Sequence, residues 1–403
     1  MIGRISSVQI YRSGLESILE AQARLSRIQE QVATGKRIIT PSDDPGAAAE
    51  IIRLRSELNQ VEAYQRNADQ AISALSFEEG AIAGAESILQ RARTLAVQGA
   101  NDGTLSASDR EIIAAEIDGL RDSLLNIGNT RNADGEYIFA GDTVNTEAFS
   151  EAGGAVTYNG SGGPRFINIA SGIRIQVNDT GADLFAGAAA GNGAFEVDAA
   201  NANTGTGVVG ATGFDNTFPG TEDYSIDFST GGAGQLQYTV TGSVSGGLGP
   251  AQDFTPGEAI TFAGASVVIE GEPAAGDSFA VTAGQNQSAF DTLTELAAAL
   301  RTGGSDAADA QRATRVGQAL QNVDANLGQF NKVRTDLGAR VNRVEEQIAL
   351  NDTFNIQVES TISNLEDLDF ATAVTELNLQ LVALEAAQQT YVKTQNLSLF
   401  NYL

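Results

Sequence analysis

The first residues able to do chemistry are two acidic pairs, Asp43-Asp44 and Glu78-Glu79. Paired carboxylates could hold a divalent cation or act as the acid and base of a hydrolase. Helix capping and a solvated helix face account better for both pairs. Two glycine clusters, at 231–234 and 246–249, could in principle cradle phosphate. Neither is followed by Lys-Ser/Thr or by a helix signal, so both are expected to be turns. The 403-residue chain has no Cys and no His. That excludes thiolate nucleophiles, imidazole-based triads, disulfides and the common zinc sites. No catalytic residue, cofactor or metal is therefore expected, and the chain is expected not to be an enzyme.

Charge narrows the partners. With 51 acids against 24 bases the net charge is −27, which repels phosphate backbones and anionic membranes. Nucleic-acid binding is not expected. No apolar run of membrane-spanning length occurs, so no membrane insertion is expected. The start, MIGRISSVQIYRSGLES, lacks the apolar core and cleavage site of an ordinary secretory signal.

Composition divides the chain into an arm, an insert and an arm. Residues 151–290 hold 27 of the 44 glycines, five of the seven prolines, and 14 acids against two bases. Here apolar residues alternate between turn signals, as in Ile173/Ile175/Val177, Tyr224/Ile226/Phe228 and Leu236/Tyr238/Val240. Ile260/Phe262, Val267/Ile269 and Phe279/Val281 continue the pattern, which predicts a small antiparallel β domain. The stretch from about Gly187 to Gly213 is mostly small and polar, and a loop is expected there.

The arms read as helices. Val8, Tyr11, Leu15, Ile18, Gln22, Leu25, Gln29 and Val32 are spaced alternately three and four apart, a heptad seam. Phe370, Val374, Leu377, Leu381, Leu384, Gln388, Tyr391, Gln395, Ser398 and Tyr402 do the same near the other end. Two such seams suit antiparallel pairing. Inward lie longer apolar lines, including Leu75, Ile82 and Leu89, then Ile113, Ile117 and Leu124, then Val316, Val323, Phe330, Leu337 and Val344. These predict a helical bundle. Between seam and bundle, Gly35, Pro41, Asp44 and Pro45 read as a linker, with Asp44 the N-cap and Pro45 the first residue of the next helix.

A pair of seams with glutamines at core positions buries little apolar surface against a backbone entropy of ~1–2 kcal/mol per residue. Either the two helices satisfy each other, or further copies of the chain cover them. Heterologous contacts of the second kind give helical arrays when the rotation does not close.

Five blocks carry a resemblance. They are residues 31–45 (QVATGKRIITPSDDP), 89–101 (LQRARTLAVQGAN), 135–141 (GEYIFAG), 271–279 (GEPAAGDSF), and 369–374 (DFATAV) running to the last eight residues, 396–403 (NLSLFNYL). Together they resemble the bacterial flagellin superfamily. The Pro-Ser-Asp-Asp-Pro form and the last block are closer to its hook–filament junction branch than to flagellin itself. The resemblance implies an α+β multidomain fold: long helical coiled-coil and bundle arms from both termini, with an inserted, mainly antiparallel β domain. It implies a terminal coiled-coil domain (1–35 plus 368–403), a bundle domain with a short hairpin (36–165 plus 285–367) and a β-rich outer domain (166–284). Block 135–141 is expected to be a short strand.

The implied function is structural: a ring of subunits that joins the hook, through the first hook-associated protein, to the flagellin filament. The implied partners are other copies of the chain, that first hook-associated protein, flagellin, and a cytosolic export chaperone at the C-terminal helix. The implied location is extracellular, after type III export. The interface residues would be Val8, Tyr11, Leu15, Ile18, Leu25, Val32, Phe370, Val374, Leu377, Leu381, Leu384, Tyr391, Leu399 and Tyr402. A filament subunit is the alternative, and an adhesive role for the β insert a remoter one. Residues 89–101 resemble a flagellin segment read by an innate immune receptor, though a packed subunit contact explains them more simply. The glycosylation-like triplets Asn159-Gly160-Ser161 and Asn178-Asp179-Thr180 carry no information in a bacterial setting.

Overall fold

The computed structural model describes residues 7–101, 105–232 and 234–396. They form two compact units, residues 1–66 with 346–403 and residues 67–345. Each is described by itself.

The first unit is helical. Helix α1 spans Ser7–Thr34 and α7 spans Phe370–Asn396. The first part of α2 (Pro45–Gly99) and the last part of α6 (Asp306–Glu366) complete it. α1 stops at Gly35, whose φ of +72° suits a residue without Cβ; its N–H closes on Gln31 O at 2.8 Å. α2 starts where the Asp-Pro pair places it. Asp44 Oδ1 accepts the N–H of Ala47 at 3.1 Å, and Pro45 takes the position that needs no donor. Asp43 folds back to accept from Thr40 N at 2.9 Å and Ile39 N at 3.2 Å.

The second unit packs helices against sheets. α2 carries Leu75, Ile82 and Leu89 seven residues apart, all fully buried. On α6, Val316, Val323, Phe330, Leu337 and Val344 repeat the seven-residue step and are buried too. α3 (Ala107–Gly128) adds Ile113, Ile117 and Leu124, and α5 (Ala289–Arg301) packs against it with Leu293, Leu296 and Leu300. α3 opens on a capping box between Ser106 and Asp109. The ion pairs Arg334–Glu79 and Arg93–Asp324 run α2 and α6 antiparallel.

The β part begins with two hairpins, β1–β2 (Phe149–Ala152, Ala155–Tyr158) and β3–β4 (Phe166–Ala170, Ile173–Gln176). The short α4 (Gly181–Phe185) follows. The largest sheet runs β10-β9-β8-β14-β6, with β11 also paired to β9. Its strands are β6 (Phe195–Ala199), β8 (Tyr224–Thr230), β9 (Leu236–Gly242), β10 (Gly246–Gly247), β11 (Gln252–Asp253) and β14 (Ser278–Ala283). A second sheet orders β12 (Ala259–Phe262), β13 (Ala265–Glu270) and β7 (Val208–Phe214). β5 (Ala188–Ala189) pairs with β15 (Asn286–Gln287). All pairings are antiparallel among the described residues. The alternating residues meet in one core: Phe195, Val197, Tyr224, Ile226, Phe228, Ile260, Phe262, Val267, Ile269, Phe279 and Val281.

Three expectations fail. Residues 187–213 are not a loop, because β6 pairs with β14 and β7 with β13. Phe195, Val197 and Ala199 do alternate, but the run is too short to stand out amid glycine and alanine. Block 135–141 is not a strand; only an isolated bridge, Arg131–Tyr137, occurs there. Its apolar residues serve another purpose. Phe139 meets Phe185 edge-on at 5.3 Å, and Phe185 also contacts Phe149, Phe290 and Phe330, an aromatic knot that joins the block to α4, α5 and α6. The third failure is Glu78, which does not face solvent but is 1% exposed.

Candidate assembly surface

The surface that bears on function lies in the first unit. α1 and α7 pair antiparallel: a Cβ on Gly14 would sit 2.9 Å from the Tyr391 ring, and one on Gly35 3.7 Å from Phe370. On α1 the sheltered residues are Gly14, Ile18, Ala21, Leu25, Ile28 and Val32, in steps of four and three, with Gln31 beside the last. On α7 they are Ala373, Leu377, Gln380, Leu384, Ala387 and Tyr391, in the same steps. Every second seam position but Ile28 is thus a small or polar residue. That lets the helix axes approach closely but buries little.

The sequence-derived positions divide accordingly. Ile18, Leu25, Val32, Leu377, Leu384 and Tyr391 lie on the sheltered side. Leu15, Phe370, Val374 and Leu381 are exposed, as are Gln22, Gln29 and Gln388. Val8 and Tyr11 lie on α1, but their side chains are outside the described residues, and so are Leu399 and Tyr402 entirely. Sequence reasoning missed Gly14, Ala21, Ala373 and Ala387. The signal was present as a second row in seven-residue steps, Gly14-Ala21-Ile28 and Ala373-Gln380-Ala387, parallel to the large residues.

The consequence is an apolar excess. Among the described residues twenty large hydrophobic side chains are exposed, and twelve of them belong to the first unit. Leu15 and Leu19 line up on α1; Phe370, Val374, Leu381 and Val382 on α7; Leu350, Phe354 and Ile356 on α6. Exposed apolar residues at this density make the unit a candidate contact surface. One buried cluster among the described residues of this unit is formed by Ile38, Ala48 and Ile51, flanked by Ala47, Ile362 and Leu365.

A polar clasp holds the link between α1 and α2 against the end of α6. Lys36 and Asp367 form a bridge, Arg37 N donates to Glu366 O at 2.7 Å, and Leu368 N to Gly35 O at 2.9 Å. Glu366 is nearly buried and accepts from Lys36 Nζ at 2.7 Å and Arg55 Nη2 at 2.6 Å. Burial pushes its carboxyl up, but hydrogen bonds from Lys36 and Arg55 outweigh burial and hold it below the usual range. Gly35, Asp44 and Pro45 all bound this link, and Pro41 sits exposed at its bend.

No group of three or more acids able to hold a metal occurs among the described residues. No described helix is long and apolar enough to cross a membrane. Asn178, within a glycosylation-like triplet, is buried and spends its amide on Ile138 O and Gly141 O, a structural use.

Comparison with known proteins agrees with this architecture. The bacterial flagellin N-terminal helical region matches residues 5–143, and the flagellin C-terminal helical region matches residues 320–403. Flagellar hook-associated protein 3 of Escherichia coli K12 is 27% identical over 399 residues, 98% of each chain. The crystal structure of flagellar hook-associated protein 3 from Legionella pneumophila superposes with a TM-score of 0.75 at 32% identity, covering 78% of this chain and 98% of that one. The Xanthomonas campestris protein FlgL gives a TM-score of 0.71 at 26% identity, over 77% and 99%. With both flagellin terminal regions and likeness along nearly the whole of these relatives, the chain belongs to the flagellar hook-associated protein 3 family.

Proposed function

We propose that the chain is the structural subunit that joins the flagellar hook to the flagellin filament. The observation that carries this is the terminal helix pair, whose narrow seam leaves Leu15, Leu19, Val374 and Leu381 uncovered. These four are about half exposed, so covering the remainder yields roughly 1 kcal/mol each, and several together favour contact with neighbouring copies. Contacts of this kind are heterologous and build a ring or helical layer.

On this reading copies of the chain contact one another laterally through the exposed Leu15, Leu19, Phe370, Val374, Leu381 and their neighbours, while Leu25 stays within the pair. The first hook-associated protein lies on one side of the layer and flagellin on the other. Before assembly a cytosolic chaperone covers the α7 end, and the chain is exported to an extracellular flagellar position. Its work is mechanical, with no catalysis.

Deletion of the gene tests the junction role. Hooks without filaments, with flagellin shed into the medium, are expected; filaments still attached would remove the proposal. The alternative, a filament subunit, predicts long filaments from the purified protein alone.

A further inference from the structure

Glu78 lies on α2 deep in the second unit. Its Oε1 accepts the N–H of Asp179 at 2.6 Å, while Oε2 is buried without a hydrogen-bond partner. Asp179 lies between β4 and α4. Its Oδ1 accepts from Gln176 Nε2 at 2.9 Å, and its Oδ2 accepts from Arg340 Nη2 on α6. The second nearby cation, Arg165, is engaged with Glu136 at 2.8 Å. Asp183 and Asp336 add further negative potential at Asp179. Buried Glu78 and partly buried Asp179 therefore share one arginine, whose Nη2 is bonded to Asp179 while its Nη1 is buried without a hydrogen-bond partner.

A buried carboxylate lacking its own counter-ion is strongly disfavoured, so one proton is retained. Burial, then the charge of Asp179, push the Glu78 carboxyl up to about 8 against the opposing pull of the Asp179 N–H, Arg340 and Arg165. Burial also raises Asp179, opposed by Arg340.

We propose that Glu78, Asp179 and Arg340 form a proton-dependent clasp, which ties segment 176–180 to α2 and α6 while the acid pair carries one negative charge and loosens when it carries two. The neighbours would transmit the loosening. Gly181 N donates to Phe139 O at 2.8 Å, and Asn178 bonds the same 138–141 turn, so release reaches the aromatic knot.

The sign follows from proton counting. An unfolded Glu ionises near ~4.3, whereas folded Glu78 keeps its proton to about 8. Between those values the folded chain holds the extra proton, so stability falls as pH rises through the window and levels off above it.

The test uses the full chain with carbon-13 in its glutamate carboxyls. A glutamate titrating above about pH 7 is expected, absent in Glu78→Gln and shifted down in Asp179→Asn. Hydrogen-exchange protection at 176–181, corrected for intrinsic rate, should fall at least about tenfold between about pH 6 and about pH 9.5 in the wild type, and stay level in Glu78→Gln. The proposal is overturned if every glutamate titrates in the ordinary acidic range, or if wild type and Glu78→Gln lose protection in parallel. Should Glu78→Gln not fold, the wild-type titration and its shift in Asp179→Asn decide alone.

Discussion

Asp44 and Glu78 are both acids in adjacent acidic pairs, and their fates differ for reasons a sequence shows only in one case. Asp44 is followed by Pro45, so local chemistry alone makes it a cap. Asp44→Ala should cost about 1 kcal/mol, measurable by denaturant unfolding of the full chain. Glu78 has no such local marker. Residues next to each other on a helix point about 100° apart, and Glu78, three residues after Leu75 and four before Ile82, falls on the buried row of α2 while Glu79 turns to the Arg334 side; what the sequence conceals is its partner Asp179, a hundred residues later. The same holds for Phe185. Four rings within about 5.5 Å surround it, all of them from outside α4 and its flanks in sequence. Phe185→Ala should destabilise by roughly 3–5 kcal/mol, read as a lowered unfolding midpoint with an unchanged denaturant slope.

Among the elements, the long helices were the most legible because an exact seven-residue step survives any context. Val316 to Val344 and Leu75 to Leu89 are buried as their period demands. The terminal helices were half legible. Their positions at 18, 25 and 32, and at 377, 384 and 391, fall on the sheltered side, but the intervening row lies one residue away, on Gly14, Ala21 and Ile28 and on Ala373, Gln380 and Ala387. Choosing the larger side chains for a seam overlooks that close helix contact favours small ones. Gly14→Leu should therefore separate the pair near Tyr391 and lower the helicity of α1 and α7, as circular dichroism of the isolated chain would register. The clasp at Glu366 gives a pH dependence. Its folded carboxyl is held below its ordinary value of 4.5, so its stabilisation is present above that value and is lost as pH falls below it. Cleavage within 35–44 by an acid-active protease should rise in that acidic window, and Glu366→Gln should weaken the acid dependence. β7 was invisible for a simpler reason: Val208–Phe214 contains two glycines, and its strand form is imposed by β13.

At the scale of the whole molecule, charge and apolar exposure are distributed unequally. The −27 net charge has its densest acidic excess in residues 151–290, while exposed hydrophobic residues concentrate in the terminal unit. On the proposed function, such a division suits a chain that stays dispersed alone and adheres on assembly. Replacing Leu19 and Leu381 by Glu should leave the unfolding midpoint within a few degrees, because surface changes away from a core usually alter stability by less than ~0.5 kcal/mol. The same double variant should fail to assemble. The most direct measurement is electron microscopy of cells whose gene is deleted and complemented with this variant, with flagellin in the medium quantified. The account predicts hooks without filaments and abundant shed flagellin, matching the deletion; attached filaments at wild-type number and length would contradict it.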